Sequence, residues 1–164
     1  MTEWKAFEPT ADLCDRLGSK ARVCELPLIA YGARREAAGT IACIKVGEDA
    51  APVRRLLGQP GQGRILIVDG GGSRRVALLG ERMARLGLEN GWAGVIVHGA
   101  IRDVAALRAV EFAVFALCAV PRKAAGGGVL QEEEGPVNFG GVTFKPGESV
   151  HVDLDGLVIT KEPR

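Results

Sequence analysis

The amino-acid sequence predicts one α/β domain over residues 1–164, built around a βαβ unit and extended by C-terminal β-hairpins. Two continuous apolar runs, ILIV at 65–68 and GVIV at 94–97, flank a segment with helical periodicity. Such runs are typical of parallel strands covered on both faces, and a strand–helix–strand unit of about 35 residues is almost always right-handed. After Pro121, short β-type segments alternate with turns, and 164 residues are enough for one core. These observations favour a single α/β domain.

The N-terminal elements are predicted from capping residues and from β-branched composition. Thr10 is expected to cap a short helix over 10–18. Residues 39–46 (GTIACIKV) are predicted to form a strand, because they are apolar and partly β-branched. Asp49 is then expected to cap a helix over 50–58.

The central and C-terminal elements follow from apolar periodicity and turn residues. Between the two central strands, apolar residues at helical spacing predict a helix from Arg74 to about Glu89. A third apolar strand is expected within 112–120. The triple glycine at 126–128 predicts a flexible loop. The hairpins are expected from the segments PVNFGG, VTFKPGE, SVHVDLDG and LVIT.

Composition and charge exclude several classes of protein. The chain has 21 Lys and Arg against 20 Asp and Glu, a net charge of +1, so it lacks the basic excess of a dedicated nucleic-acid-binding protein. Aromatic residues make up only 5%, which disfavours base-stacking platforms. The longest apolar stretch, 112–120, is far shorter than the roughly 20 residues that a membrane helix needs. No signal peptide is visible at the N-terminus, and we expect a cytoplasmic protein without direct nucleic-acid or membrane partners.

The cysteines give little support for a structural zinc site. No two of them have the C-x-x-C spacing, and the chain has only two histidines. We expect free thiols, as in a reducing compartment, at Cys14, Cys24, Cys43 and Cys118.

The chemistry is expected where the two central strands end, because ligands of open α/β sheets bind outside the carboxyl ends of parallel strands. DGGGS at 69–73 follows the first strand and HGAIRD at 98–103 follows the second. If the strands are neighbours, Asp69 and the glycines converge with Arg102 and Asp103 on one crevice. The glycine amides and the start of the next helix would then bind an anion. The alternative is a tight turn without a ligand, and the spacing fits neither a P-loop nor a dinucleotide fingerprint.

Arg102 and Asp103 are the most informative pair. An arginine offers a planar fork to a carboxylate or an enolate oxygen, and an aspartate offers a hard oxygen ligand to Mg²⁺ or Mn²⁺. The alternative is a surface ion pair, or a helix cap in which Asp103 precedes a helix over 104–110. Glu81 precedes Arg102 with 20 residues between them, and a βαβ unit can bring the start of its helix near the second loop.

Other polar residues have simpler interpretations. We interpret Asp69 as a turn former, with a ligand as the alternative. Glu48-Asp49 are interpreted as capping residues, and the alternative is that they face the crevice or a neighbouring subunit. His98 is interpreted as a strand-end residue beside the crevice, and His151 as solvent-facing. The run at 132–134 (EEE) is expected to be a solvated loop.

At these residues the sequence resembles the family named for regulator of ribonuclease activity A, which also contains 4-hydroxy-4-methyl-2-oxoglutarate aldolases. The resemblance covers nearly the whole chain and implies a β/β/α layered domain that assembles as a homotrimer. Its landmarks are TADLCD (10–15), GTI with KVGED (39–49), PGQGRILIVDGGGS (60–73), ALLGERMA (77–84), NGWAGVIVHGAIRD (90–103) and GGVTFKPGESVHVDLDGLVI (140–159).

The resemblance also implies roles for individual residues. The aldolase members share an acidic residue, 20 intervening residues and then Arg-Asp, which this chain carries as Glu81, Arg102 and Asp103. By position, Asp103 would bind a divalent metal cation, Mg²⁺ or Mn²⁺, Arg102 would contact the substrate, and Glu81 would orient metal-bound water. Many relatives have Asp where this chain has Glu81, and the longer side chain would shift the water network and with it the substrate range. The backbone amides that would hold the substrate carboxylate are those of Gly80, Glu81, Arg82 and Met83. The carboxylate pocket would then lie at 80–83 rather than at the triple glycine of 70–72, and the helix would begin later than Arg74.

The function implied by the resemblance is that of a metal-dependent lyase acting on a small 2-oxo acid. It would cleave 4-hydroxy-4-methyl-2-oxoglutarate to pyruvate and decarboxylate oxaloacetate through the same enolate. The alternative is a non-catalytic regulator that binds and inhibits an endoribonuclease. A third interpretation, methyl transfer to a quinone, depends only on the partial likeness of DGGGS to a methyl-donor motif.

Overall fold

The computed structural model describes residues 7–125 and 133–161. The predicted loop at 126–128 and Glu132 therefore lie outside the described residues. The helices are α1 (Thr10–Leu17), α2 (Ala51–Leu57), α3 (Glu81–Glu89) and α4 (Val104–Leu107). The strands are β1 (Arg22–Val23), β2 (Ile29–Ala30), β3 (Ala37–Lys45), β4 (Ile65–Asp69), β5 (Gly94–Ile101), β6 (Ala113–Ala119), β7 (Glu133–Glu134), β8 (Val137–Phe139), β9 (Val142–Phe144), β10 (Ser149–Val152) and β11 (Leu157–Thr160). None of the described helices has the length and apolar character that crossing a lipid bilayer requires.

The centre of the main sheet is parallel, as the apolar runs predicted. β3, β4, β5 and β6 are neighbours in that order, and their pairings are parallel. The register of β4 and β5 pairs Asp69 with His98, so the residues that follow these strands emerge at the same edge. The antiparallel strands β10, β11 and β1 extend the sheet beyond β3, and β2 closes the opposite edge. The predicted unit β4–α3–β5 is confirmed.

The core consists of two apolar clusters, one on each face of the parallel strands. Successive side chains of a strand point to opposite faces. Leu66 and Val68 of β4 accordingly pack in the cluster that contains the helices, whereas Ile65 and Ile67 pack against the C-terminal strands. The helices thus cover one face and a second β-layer covers the other. This confirms the α/β class and the layered β/β/α arrangement, in which β8–β9 and β10–β11 are the expected hairpins.

Long-range backbone pairing overturns three of the predictions about the elements. β5 continues through Ile101, because Ala100 and Ile101 pair with β6, so His98 lies inside a strand. α3 begins at Glu81 rather than at Arg74, as the family resemblance implied. Residues 133–134 are not a loop, because they form β7 and pair with β3.

The N-terminal helix is held by the C-terminal hairpin. Thr10 is the first residue of α1 and does not cap it; its hydroxyl donates to Asp153 Oδ1 (2.7 Å) and its N–H to Asp153 Oδ2 (2.8 Å). The prediction that His151 faces solvent is wrong, since only 7% of the residue is exposed. Its Nδ1 lies 3.2 Å from the Glu8 carbonyl oxygen, so the residues that precede α1 lie against this part of β10.

Candidate active site

A short extended segment, residues 77–79, brings the candidate residues together at the end of β5. The Leu78 N–H donates to the Ala100 carbonyl oxygen (2.9 Å). The Arg102 N–H donates to the Leu79 carbonyl oxygen (3.0 Å). The segment thus lies along β5 beyond the point where β4 ends, and it leads directly into α3. This pairing is why the apolar residues before Glu81 are not helical.

The other edge of this segment pairs with the chain that follows β6. The Ala77 N–H donates to the Arg122 carbonyl oxygen (2.8 Å), and the Ala124 N–H donates to the Ala77 carbonyl oxygen (3.2 Å). Ala77 therefore forms parallel bridges with both Ala100 and Lys123. Four backbone hydrogen bonds fix the start of α3 between these neighbours.

Gly80 and Asp103 are in direct contact where α3 begins. Asp103 Oδ2 accepts the Glu81 N–H (3.0 Å), so its carboxylate lies at the positive end of the α3 dipole. A Cβ atom at Gly80 would lie only 2.6 Å from the same Oδ2. Position 80 therefore has to be glycine for the Asp103 carboxylate to occupy this place.

The backbone of Asp103 has an unusual conformation. Its φ of 66° and ψ of 41° lie in the left-handed region, which aspartate tolerates better than most residues. Asp103 occupies the N-cap position of α4, and its carbonyl oxygen accepts the Leu107 N–H (2.8 Å). Its side chain makes no capping bond to α4, so the alternative that Asp103 simply caps the next helix is wrong. The carboxylate is directed to α3 instead.

The candidate residues line one open cavity of about 980 Å³. Its acidic side chains are Glu81 and Asp103. Its basic side chains are Arg54, Arg82, Arg102 and Lys123. Small or apolar residues from α2, α3, α4 and the 77–79 segment complete the wall. A cavity with this excess of positive charge suits an anionic ligand.

The Glu81 side chain forms an ion pair within α3. Its Oε1 accepts a hydrogen bond from Arg85 Nε (3.0 Å), an ion pair one helical turn apart. The Glu81 side chain is 35% exposed, so the rest of the carboxylate remains accessible from the cavity.

The segment DGGGS does not belong to this cavity, and the prediction of an anion site there is wrong. The amides of Gly70 and Gly72 both donate to the His98 carbonyl oxygen, at 3.0 and 3.1 Å. The Gly71 amide donates to Asp69 Oδ1 (2.9 Å). All three glycine amides thus donate hydrogen bonds to acceptors of the protein itself, as in a tight turn without a ligand. Asp69 is a turn former, as interpreted from the sequence.

Asp69 and His98 form a separate, partly buried pair. His98 Nδ1 lies 2.9 Å from Asp69 Oδ1, and the His98 ring stacks on Phe139 of the second β-layer at 4.5 Å. Burial raises the pKa of Asp69, but hydrogen bonds from His98 and the Gly71 amide outweigh it and hold this pKa below the ordinary value. We interpret the pair as a structural link between the layers.

Glu48 also has a structural partner. Its carboxylate accepts two hydrogen bonds from Arg75, at 2.7 and 2.9 Å, and one from the Ser73 hydroxyl at 2.6 Å. The hydrogen bonds from Arg75 and Ser73 lower the pKa of Glu48 to about 2. The prediction that Glu48 or Asp49 caps α2 is wrong, because Ala50 occupies the N-cap position. Asp49 Oδ1 accepts the Ala51 N–H (2.9 Å) from one residue further upstream.

The structure therefore brings together part of the predicted set. Gly80, Glu81, Arg82 and Met83 share the cavity with Arg102 and Asp103, whereas Asp69, the triple glycine and His98 lie elsewhere. Sequence reasoning missed Arg54 and Lys123, which line the same cavity. No spacing pattern connects these two residues to the others, because they come from α2 and from the chain after β6.

Among the described residues, the cysteines and the acidic groups form no preformed metal cage. All four cysteines are free, as predicted, and burial raises the pKa of Cys43 to about 12, so its thiol stays protonated. In residues 7–125 and 133–161, no three His, Cys, Asp or Glu side chains are grouped as a metal site.

Comparison with known proteins identifies the family. The model of the RraA-like family, described as Aldolase/RraA, matches residues 10–159. This chain belongs to the RraA-like family. A relative from Laribacter hongkongensis is 44% identical over 94% of this chain and 96% of its own, and one from Aromatoleum aromaticum is 46% identical over 93% and 95%. Both carry the name "Putative 4-hydroxy-4-methyl-2-oxoglutarate aldolase".

Solved structures with the same fold carry different names. A Geobacillus kaustophilus structure described as S-adenosylmethionine: 2-dimethylmenaquinone methyltransferase is 44% identical, with a TM-score of 0.90 over 94% of this chain and 96% of its own. A Thermus thermophilus structure described as the RNA-processing inhibitor RraA is 41% identical, with a TM-score of 0.89 over 97% and 96%. The family and the fold are thus shown, and the predicted family membership is confirmed.

Proposed function

We propose that this RraA-like chain is a divalent-metal-dependent lyase that cleaves 4-hydroxy-4-methyl-2-oxoglutarate to pyruvate and decarboxylates oxaloacetate at the same site. The observation that carries the proposal is the contact of the Asp103 carboxylate with the first turn of α3, beside Arg102 in one cavity. The names of the two curated relatives support the aldolase reaction.

Asp103 fits the role of the protein ligand to Mg²⁺ or Mn²⁺. One of its oxygens accepts the Glu81 N–H, and the residue is exposed at the cavity wall. Mg²⁺ is commonly held by one or two carboxylates and keeps its other positions for water and substrate oxygens. The single carboxylate therefore suits a metal that binds together with the substrate. A bound cation would act as a Lewis acid on the keto oxygen of the substrate.

The start of α3 is suited to hold the substrate carboxylate. The first N–H groups of a helix have no acceptor within the helix and form a natural anion site. Of the four amides implied by the family resemblance, that of Glu81 already donates to Asp103. We therefore assign the substrate carboxylate to the amides of Gly80, Arg82 and Met83.

Arg102 would stabilise the charge that develops during bond cleavage. When the C3–C4 bond of the substrate breaks, its electron pair moves into an enolate whose charge is shared with the former keto oxygen. A guanidinium placed beside this oxygen lowers the barrier by roughly 3–4 kcal/mol, the typical value of a preorganised contact. In the aldol substrate, the 4-hydroxyl also loses its proton, which passes to a water molecule that Glu81 orients, and the C4 fragment leaves as pyruvate. The enolate then takes up a proton at C3 and gives the second pyruvate.

The decarboxylation of oxaloacetate requires fewer catalytic groups than the aldol cleavage. Its C3–C4 bond breaks with loss of CO₂ and gives the same pyruvate enolate, which is then protonated at C3. No hydroxyl proton has to be removed, so Arg102 and the cation that Asp103 would hold suffice without a base. One site can therefore carry out both reactions.

The test is pyruvate release from each substrate in the presence of Mg²⁺ and then of EDTA. We expect release with Mg²⁺ and loss of release with EDTA, and Asp103→Ala should abolish the metal-dependent activity. No pyruvate from either substrate, or full activity in EDTA, would reject the proposal.

A second function, inhibition of an endoribonuclease, is supported by the Thermus thermophilus structure described as an RNA-processing inhibitor. Such a role requires a protein-binding surface rather than the cavity. Co-precipitation with purified endoribonuclease tests it, and Asp103→Ala should leave that binding unchanged. Methyl transfer has less support, because the DGGGS amides on which it was based are used within the turn.

A further inference from the structure

Three of the four basic side chains of the cavity have no assigned role in the proposed reaction. Arg54, Arg82 and Lys123 line the same cavity as Arg102. Within residues 7–125 and 133–161, the structure gives none of these four side chains a hydrogen bond or an ion pair. Cations held together without acidic partners repel one another, so their arrangement favours a bound anion.

The cavity wall carries more positive charge than one bound carboxylate would neutralise. Arg54, Arg82, Arg102 and Lys123 contribute four positive charges, and Glu81 and Asp103 contribute two negative charges, a balance of +2. Glu81 is further compensated by Arg85. A cation on Asp103 would raise the balance again. A ligand with two negative charges therefore fits the wall better than a monoanion.

Lys123 lies on the far side of the 77–79 segment from Arg102. Ala77 forms a bridge with Ala100 of β5 on one edge and with Lys123 on the other. Neighbouring strands are about 4.8 Å apart, so the backbones at Lys123 and at the end of β5 are separated by about two such spacings. One ligand can thus meet Arg102 with one end and Lys123 with the other.

Arg54 approaches the cavity from α2. Val53 and Leu57 of this helix are buried in the same apolar cluster as Met83 and Ala84 of α3, which fixes α2 beside α3. Arg54 itself is exposed and lines the cavity together with Ala50 and Ala51. The small side chains of these alanines leave the guanidinium open to the cavity.

We propose that Arg54 and Lys123 bind the second carboxylate of a dicarboxylic 2-oxo acid, and that they determine specificity for such substrates. The assignment of the 2-oxo acid end to Arg102, Asp103 and the α3 amides rests on the proposed function. Two cations at the distal end discriminate a carboxylate from a methyl group, because a charge-assisted hydrogen bond is lost with the monocarboxylate.

The experiment compares binding of 2-oxoglutarate and 2-oxopentanoate by titration calorimetry in Mg²⁺. The two ligands have the same chain length and the same 2-oxo acid group, and they differ only in a terminal carboxylate or methyl. We expect wild type to prefer 2-oxoglutarate by about tenfold or more, the size of one charge-assisted hydrogen bond. Arg54→Ala/Lys123→Ala should bind the two ligands equally.

Matched controls exist in the same elements. Arg55 of α2 and Arg122 next to Lys123 are exposed and lie outside the cavity wall, so Arg55→Ala/Arg122→Ala removes equal charge and should keep the preference. Equal binding of both ligands by wild type, or an unchanged preference in Arg54→Ala/Lys123→Ala, would overturn the proposal. A retained preference without pyruvate release in the activity assay would reject the proposed reaction and leave the second carboxylate site standing.

Discussion

Arg102 is the single side chain on which the proposed chemistry depends most directly. Arg102→Ala removes the charge beside the developing enolate, and we expect kcat to fall by about 10²-fold or more. Oxaloacetate decarboxylation measures this without the complication of a hydroxyl base. Arg108→Ala, at an exposed arginine outside the cavity wall, serves as the control. Turnover like that of wild type in Arg102→Ala would refute the role.

Gly80 is the second residue with a specific expectation. In Gly80→Ala the new methyl group would lie 2.6 Å from Asp103 Oδ2, and the carboxylate has to move away from the Glu81 N–H. Because the displaced atom ends a side chain, the fold should survive. We expect Mn²⁺ affinity to fall by about 10–100-fold, as for the loss of an outer-shell partner. Calorimetry with Mn²⁺ measures the loss.

The matched glycine for this experiment is Gly58, at the end of α2. An added Cβ there would lie 3.4 Å from the nearest atom, the Arg54 carbonyl oxygen, which is an ordinary contact. Gly58→Ala should therefore bind Mn²⁺ like wild type. Equal affinities of Gly80→Ala and wild type would show that the Asp103 carboxylate does not hold the cation in its observed place.

At the residue level, the sequence predicted the site only as far as local spacing and family resemblance reached. Glu81, Arg102 and Asp103 could be selected because a fixed spacing marks them. Arg54 and Lys123 could not, since only the packing of α2 and the pairing of Ala77 bring them to the cavity. The triple glycine was misinterpreted because its amides meet acceptors from β5 and from Asp69.

At the level of elements, predictability depended on how local the stabilising interactions are. β4 and β6 were predicted because a fully buried strand is apolar throughout, and both are largely buried. β1, β2 and β7 have only two residues each and exist through pairing with distant strands, so no local pattern marks them. The start of α3 was predicted too early, because the apolar residues of the extended 77–79 segment have a spacing that also fits a helix.

The attachment of α1 to the C-terminal hairpin gives a pH-dependent prediction. Burial raises the pKa of Asp153, but hydrogen bonds from the Thr10 N–H and hydroxyl and from the Asp155 and Gly156 amides outweigh it and lower this pKa. With a folded pKa below the unfolded value of about 3.9, the carboxylate stabilises the fold above that pH. The contribution is lost as the pH falls through the folded pKa.

Asp153→Asn keeps the shape of the side chain and removes its charge. We expect it to lower the free energy of unfolding by about 1–2 kcal/mol at neutral pH, the scale of a lost helix cap. The difference from wild type should shrink as the pH falls below about 4. Urea unfolding across this range measures it, with Asp155→Asn as the control. A difference that stays constant with pH would contradict the role of the charge.

In the molecule as a whole, the two core clusters support different parts of the structure. The helix-side cluster supports the cavity, because it contains Leu79 and Met83, which flank Gly80. The second cluster contains Phe139 and Phe144, which lie on the opposite face of the sheet and do not line the cavity. Activity and stability should therefore respond to different substitutions.

Phe144 is the residue at which this separation is best tested. It is fully buried and stacks on Phe139 at 4.4 Å, and Phe139 in turn stacks on His98, which binds Asp69 at the end of β4. Phe144→Ala should lower the free energy of unfolding by about 3–5 kcal/mol, since it leaves a cavity between the layers. The variant should retain the kcat/KM of wild type where it is still folded. Arg102→Ala should behave oppositely, losing turnover while its urea midpoint stays unchanged. If Phe144→Ala lost turnover in proportion to stability while still folded, the two faces of the sheet would have to be coupled through β4 and β5.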